Sequence, residues 1–79
     1  MNDVNVTLDC LNEIIQEVKK GNEKYRYEML TTLTSAVLKR RGELDKRAWR
    51  VMLTTLQEIY PEIKVFDKLS EIVDKHYEE

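Results

Sequence analysis

The side chains best suited to binding chemistry lie in a basic stretch near the middle of the chain. Residues 39–50, which read KRRGELDKRAWR, hold six basic and two acidic side chains and carry a net charge of +4. The flanking residues 1–38 and 51–79 are acidic, with net charges of −2 and −4. Arginine and lysine recognise phosphate and carboxylate groups, so the stretch is a candidate anion- or partner-binding site. Its basic residues are Lys39, Arg40, Arg41, Lys46, Arg47 and Arg50.

The same stretch also has an explanation that requires no ligand. Basic residues are favoured at the carboxyl end of a helix because they complement the helix dipole. Glu43 and Asp45 lie between the two basic clusters, and a chain of net charge −2 repels nucleic acid at long range. The sequence leaves both alternatives open.

Residues that could catalyse a reaction or bind a metal are scarce. The one histidine, His76, is expected to be solvated, and the one cysteine, Cys10, to be a buried and unreactive thiol. Two carboxylate pairs, Glu13 with Glu17 and Glu71 with Asp74, fall on the polar faces of predicted helices. No glycine-rich phosphate loop, Cys/His zinc spacing or Glu-x-x-His element occurs. The sequence therefore predicts a protein that is not an enzyme and has no metal or cofactor.

Hydroxyl and aromatic side chains indicate a candidate protein interface. Threonine and serine are mediocre helix formers, yet they cluster in the predicted second and third helices. Tyrosine and tryptophan dominate binding hot spots, although Trp49 is also the aromatic residue best placed for the core. Tolerated surface positions explain the hydroxyl residues equally well. The interface candidates are Tyr25, Tyr27, Thr31, Thr34, Ser35, Trp49 and Tyr60.

Length and composition narrow the class of protein. A chain of 79 residues forms one domain, near the lower size limit for folding unaided, which favours a homodimer. The chain has 42% hydrophobic and 35% charged residues but only two glycines and one proline, which is typical of a water-soluble helical protein. A single cysteine favours a cytoplasmic setting, and no apolar run approaches the ~18 residues of a membrane span.

Hydrophobic periodicity predicts four helices. Apolar residues recur every three or four positions, and the inward stripes include Leu8 of the first helix and Ile59 of the third. Asp45 is a predicted cap for the third helix, and Gly42 is predicted to take the left-handed conformation after the second. The predicted helices span residues of about 3–20, 23–40, 46–60 and 62–77.

The start of the fourth helix has alternatives. Pro61 followed by Glu62 is typical of a helix start, but Asp67 is an alternative first residue. An extended segment over residues 59–66 is less favoured because proline would lie inside it. Short linkers favour antiparallel neighbours, so we predict an all-α, compact antiparallel bundle of four helices, or three if helices 3 and 4 merge or helix 1 frays.

The pentapeptide MLTTL occurs twice, at residues 29–33 and 52–56. The flanking residues of the two copies do not match, which argues against a duplicated module. In both copies the methionine and the leucines fall on the predicted inward stripe, and the threonine pair is turned away from it. The pattern leaves open whether the threonines face one another, a partner or water.

Three segments resemble known families. LKRRGELDKRAW resembles the linker between the first helices of helix-turn-helix and winged-helix DNA-binding domains, which implies a recognition helix soon after helix 3. Helix 4 is acidic, however, and would be a poor surface for a phosphate backbone. DVNVTLD is similar to the N-terminal strand of ribbon-helix-helix repressors, which implies that Asn5 and Thr7 read bases. Residues 17–49 are similar in helix, glycine and leucine spacing to the four-helix bacteriocin immunity proteins, an analogy of fold only.

These features favour a small cytoplasmic protein that binds another protein, itself, or both, as an adaptor, inhibitor or regulator. The alternative is nucleic-acid or polyanion binding through residues 39–50, in the manner of a helix-turn-helix regulator.

Overall fold

Four α-helices form the structure, a computed structural model that describes residues 4–21 and 24–78. The described residues contain no strand, which confirms the predicted all-α class and the four-helix count. The helices are α1 (Val4–Lys20), α2 (Arg26–Lys39), α3 (Lys46–Ile59) and α4 (Phe66–His76).

The ends of α1 and α3 agree with the prediction to within one residue, whereas α2 begins at Arg26, three residues later than predicted. Lys24 and Tyr25 form a turn before it, and Asn22 and Glu23, its predicted cap and first turn, lie outside the described residues. The predicted cap of α3 is confirmed, because Ala48 N–H donates to Asp45 Oδ1 at 2.8 Å.

The predicted start of α4 at residue 62 is wrong, and the alternative start near Asp67 is correct to within one residue. After Pro61 the chain makes a turn in which Ile63 N–H donates to Tyr60 O at 3.1 Å. The turn buries the Ile63 side chain, which is 4% exposed. In a helix that began at residue 62, Ile63 would lie at the edge of the apolar stripe, so burial favours the turn. The extended alternative is also wrong, since residues 60–65 form no strand.

A Schellman motif ends α2 and turns the chain toward α3. Gly42 N–H donates to Val37 O at 2.8 Å, and Arg41 N–H donates to Leu38 O at 3.0 Å. Gly42 has a φ of 82°, which confirms its predicted left-handed conformation. Arg41 is also left-handed, with a φ of 57°, in the position that glycine usually occupies.

The core lies where α4 packs closely on α1 and α3, and where α1 packs on α2. Trp49 is its largest fully buried side chain, and the buried cluster includes residues from every helix and from both linkers that follow α2 and α3. Helices α2 and α3 are not a closely packed pair in the described part of the chain. Their separation leaves a groove on the surface between them.

Two predicted inward positions are wrong. Leu8 of α1 is 41% exposed, because the buried face of that helix is rotated toward Thr7 and Cys10. Ile59 of α3 is 59% exposed, because Trp49 and the two leucines of α3 supply the face that packs on the core.

The predicted orientation of the two MLTTL copies, with methionine and leucines inward and threonines outward, is confirmed. Met29 and Leu33 are buried in the first copy, Leu53 and Leu56 in the second, and the remaining leucine and methionine are half-buried. All four threonines of the two copies are exposed, so neither pair lies in the core.

Candidate functional site: the groove between α2 and α3

The α2–α3 groove has a volume of about 390 Å³ and opens to solvent. One wall comes from the second half of α2, the other from the first half of α3, and the linker closes one end. The lining residues are Ala36, Arg40, Leu44, Asp45, Arg47, Ala48, Val51 and Met52.

An apolar stripe of α3 forms much of the groove floor. Val51 and Met52 follow Ala48 by three and four residues, so the three side chains share one face of the helix. This face is distinct from the one that carries Trp49 into the core. Val51 is 60% exposed, and Ala48 and Met52 are half-buried. On the α2 side, Ala36 is small and leaves the groove open. The floor is thus apolar surface that the protein's own helices only partly cover.

Two arginines form the rim of the groove. Arg40 lies just after α2 and Arg47 in the first turn of α3, and both are exposed. Neither has a carboxylate partner among the described residues. Asp45 also lines the groove, but one oxygen of its carboxylate is engaged by the first turn of α3. The groove therefore combines an apolar floor with two arginines available to an acidic ligand.

The structure does not bring all six basic candidates together. Asp74 of α4 forms an ion pair with Lys46 at 3.8 Å and accepts a hydrogen bond from Arg50. Those two side chains are turned to the α4 side of α3, away from the groove. Of the six, only Arg40 and Arg47 line the groove. Lys39 and Arg41 are exposed at the end of α2 and do not line the groove.

A buried hydrogen-bond network fixes the linker that closes the groove. Leu44 N–H donates to Thr7 Oγ1 at 2.9 Å, and Leu44 O accepts from Tyr77 Oη at 2.6 Å and from Thr7 Oγ1 at 3.1 Å. Trp49 Nε1–H donates to Tyr77 Oη at 2.9 Å. Leu44 itself is 3% exposed. The network thus ties the linker to α1, to α3 and to the residue that follows α4.

Sequence reasoning missed Thr7 and Tyr77 as positioning residues. Thr7 is fully buried, so the base-reading role implied by the ribbon-helix-helix resemblance is wrong, as is the strand, because Val4–Lys20 is helical. The available signal was the spacing of Thr7 with Leu11 and Ile14, which places its hydroxyl on the buried stripe. Its partners lie 37 and 70 residues away, beyond any local pattern.

The interface candidates separate into three groups. Tyr27, Thr31, Thr34 and Ser35 surround a shallow depression of about 380 Å³ on the outer side of α2, together with Lys19 and Leu30. Tyr25 and Tyr60 stack on each other with ring centroids 4.8 Å apart, so each already has an intramolecular partner. Trp49 is fully buried, so its candidacy as an interface residue is wrong.

His76 forms a hydrogen bond with Glu13, which corrects the expectation that His76 is solvated. His76 Nε2 donates to Glu13 Oε1 at 2.7 Å, and Lys75 donates to the other oxygen of that carboxylate. These contacts tie the end of α4 to α1. The hydrogen bonds from Lys75 and then His76 hold the pKa of Glu13 below its usual range.

Replacing Glu13 with glutamine should reduce the acid sensitivity of the fold. Because the native pKa of Glu13 is lowered, its contribution to stability is present above the unfolded value, near 4.5, and is lost as the pH falls through the native value. Urea unfolding at pH 7 and pH 3 should therefore show a smaller loss of stability for Glu13→Gln than for the wild type. Glu62→Gln, at an exposed residue with no partner in the described chain, should keep the wild-type loss. An unchanged pH dependence in Glu13→Gln would contradict the assignment.

The remaining reactive groups offer no site. Cys10 is fully buried, and burial raises the pKa of its thiol to about 12, which makes it a poor nucleophile. Within residues 4–21 and 24–78, no cluster of three or more histidine, cysteine or acidic residues is placed to hold a metal ion.

No described helix is both long and apolar enough to span a membrane.

No protein-family model, curated protein sequence or solved structure matches the chain.

Proposed function

We propose that the protein is a non-enzymatic regulator, inhibitor or adaptor whose α2–α3 groove binds an acidic amphipathic helix of another protein. The observation that supports this most directly is the uncovered apolar stripe of α3, with Val51 60% exposed, between two unpaired arginines of the described chain. Apolar surface of this kind, with a charged rim, is typical of protein-binding sites.

The dimensions of the groove suit a helix. The α3 wall covers residues 46–52, about two helical turns or roughly 10 Å, which is the length of one i to i+7 repeat. An amphipathic helix places apolar side chains at i, i+3, i+4 and i+7, which matches the spacing along the α3 stripe. Such a ligand would cover Val51 and Met52, while acidic residues on its flanks would reach Arg40 and Arg47.

The floor and the rim have different roles in this proposal. Burial of apolar surface supplies most of the affinity. The rim arginines orient the ligand and speed its association, so their contribution should weaken with added salt.

A designed peptide tests the proposal with a defined ligand. The probe is an amphipathic helix with leucines at i, i+3, i+4 and i+7 and glutamates on its flanks, and the control peptide has lysines in place of the glutamates. In NMR titrations the acidic peptide should shift amide signals of residues 36–52, and the basic peptide should shift them far less. Val51→Glu and Arg47→Glu should each weaken binding more than about tenfold, whereas Lys64→Glu, a matched charge reversal in the α3–α4 linker, should not.

The alternative of polyanion binding is tested in the same experiment. Four basic residues are exposed and have no ion-pair partner in the described chain, which favours polyanion binding: Lys39, Arg40, Arg41 and Arg47. A random-sequence DNA duplex is added in place of the peptide. Steeply salt-dependent shifts with DNA, and none with the acidic peptide, would overturn the protein-binding proposal. Equal shifts with both peptides would overturn the part of it that assigns an acidic ligand.

A further inference from the structure

The outer side of α2 carries a second apolar surface, separate from the groove. Tyr27 is 80% exposed and Leu38 is 71% exposed, the highest exposures among the large apolar side chains that the structure describes. Thr31 and Thr34 lie between them, in a row spaced four, three and four residues apart. This outer row of α2 therefore has a large side chain at each end, small ones in the middle and no charge.

The spacing of the outer row is the same in both directions. When a second copy of α2 is laid antiparallel on the first, Tyr27 of one copy lies opposite Leu38 of the other, and Thr31 lies opposite Thr34. The small central residues allow the two backbones to approach, and the large terminal residues pack across the ends. A two-fold axis between Thr31 and Thr34 produces all of these contacts twice.

The charges beside the row favour the same arrangement. Glu28 and Lys39 lie on one flank of α2, eleven residues apart, and both are exposed with no ion-pair partner in the described chain. The two helices of the pair lie side by side in one plane, and the two-fold axis is perpendicular to that plane. The axis therefore places the flank with Glu28 and Lys39 on the same side of the pair in both copies. Glu28 of one copy then lies beside Lys39 of the other. In a parallel pair the two-fold axis runs along the helices, so the flanks that carry Glu28 and Lys39 lie on opposite sides of the pair and these charges do not meet.

We propose that two copies of the protein associate through the outer row of α2 in this antiparallel arrangement. The occupant of the surface is a second copy because the spacing of the row and the charges on its flank are each complementary to those of another copy. Ala36 and Arg40 lie on a different side of α2, so both α2–α3 grooves stay open in the dimer. The protein would thus present two grooves, although the dimer does not depend on the function proposed for them.

The dimer is expected to be weak. A single pair of helices about 21 Å long buries less than the roughly 1,200 Å² that a stable interface requires. Sedimentation equilibrium from about 10 µM to 1 mM should therefore show a concentration-dependent monomer–dimer equilibrium. Leu38→Lys should raise the dissociation constant by more than about tenfold, whereas Ile59→Lys, at an equally apolar exposed site on α3, should leave it unchanged.

Cysteine cross-linking tests the orientation independently of affinity. Glu28→Cys and Lys39→Cys leave the outer row intact, and Cys10 is buried. A bis-maleimide that spans about 8–10 Å, the interaxial distance of packed helices, should cross-link a mixture of the two variants. Neither variant should cross-link to itself, because identical cysteines would lie about 14 Å apart (Glu28→Cys) or about 20 Å apart (Lys39→Cys) along the helix axis. Cross-links formed by each variant alone would overturn the antiparallel arrangement. A monomer at 1 mM, or an Ile59→Lys variant as monomeric as Leu38→Lys, would overturn the assignment of the surface.

Discussion

Replacing Thr7 with valine should lower the free energy of unfolding by about 2 kcal/mol, although the two side chains have nearly the same shape. Valine leaves Leu44 N–H buried without its acceptor, and the cost of an unsatisfied buried donor outweighs the small gain from an added methyl group. For a domain of this size, the loss corresponds to a fall in melting temperature of roughly 8–16 °C. Urea and thermal unfolding followed by circular dichroism measure both quantities.

Replacing Thr7 with serine distinguishes the contribution of its hydroxyl group from that of its methyl group. Thr7→Ser retains both hydrogen bonds to Leu44 and loses one methyl group, at about 1 kcal/mol. The serine variant should therefore be more stable than the valine variant. Thr54→Val, at an exposed threonine of α3, should change the free energy of unfolding by less than about 0.5 kcal/mol. A valine variant more stable than the serine variant would show that the network adds nothing.

The helices were predictable because each depends mainly on short-range patterns. The Asp45 cap and the left-handed Gly42 use only nearby backbone groups, so the residue type and its position are enough to identify them. The start of α4 was less predictable because two start signals compete there. Burial of Ile63, a tertiary effect, decides between them.

The groove was not predictable because it depends on how far α2 and α3 are separated. Helix α3 has apolar residues around too wide an arc for one packing neighbour, and periodicity alone does not identify which of them pack on the core. In the structure, the apolar residues of α3 lie on two different surfaces. Trp49 and Leu53 pack on the core, whereas Val51 and Ile59 remain exposed. A stripe wider than one contact face is thus a signal that sequence reasoning could use to find a second surface.

The charges of the basic stretch (residues 39–50) were likewise not fully predictable from the sequence. Its six cations are adjacent in sequence, but Asp74, 24 residues beyond Arg50, engages two of them. A count of net charge cannot identify which cations are neutralised by a distant helix. The functional proposal consequently depends on Arg40 and Arg47, the two that the fold leaves at the groove.

Leu44 is important both for the stability of the fold and for the proposed binding groove. The residue lines the end of the groove that the linker closes, and its backbone is held by Thr7 and by Tyr77. A weakened network should therefore loosen one end of the groove as well as the fold. Thr7 and Tyr77 are positioning residues in this sense, since neither lines the groove itself.

Truncating Tyr77 to alanine should have the larger effect, a loss of about 3 kcal/mol in the free energy of unfolding. The ring packs against the core, and its hydroxyl serves Leu44 O and Trp49 Nε1–H together. A domain of 79 residues has roughly 4–12 kcal/mol of stability in total. The alanine variant should therefore be partly unfolded at 37 °C, which urea unfolding at 15 °C would quantify.

Tyr77→Phe retains the ring and isolates the hydroxyl. The expected loss is about 1–2 kcal/mol, because Trp49 Nε1–H loses its acceptor within a fully buried indole while Leu44 O keeps Thr7 as a donor. The indole N–H signal of Trp49, the one tryptophan of the chain, should shift and exchange faster with deuterium. Tyr27→Phe removes a hydroxyl from a ring that is 80% exposed and should leave both stability and that signal unchanged. If Tyr77→Phe is as inert as Tyr27→Phe, the tyrosine holds the linker by packing alone, and the hydrogen bonds of its hydroxyl do not fix the end of the groove.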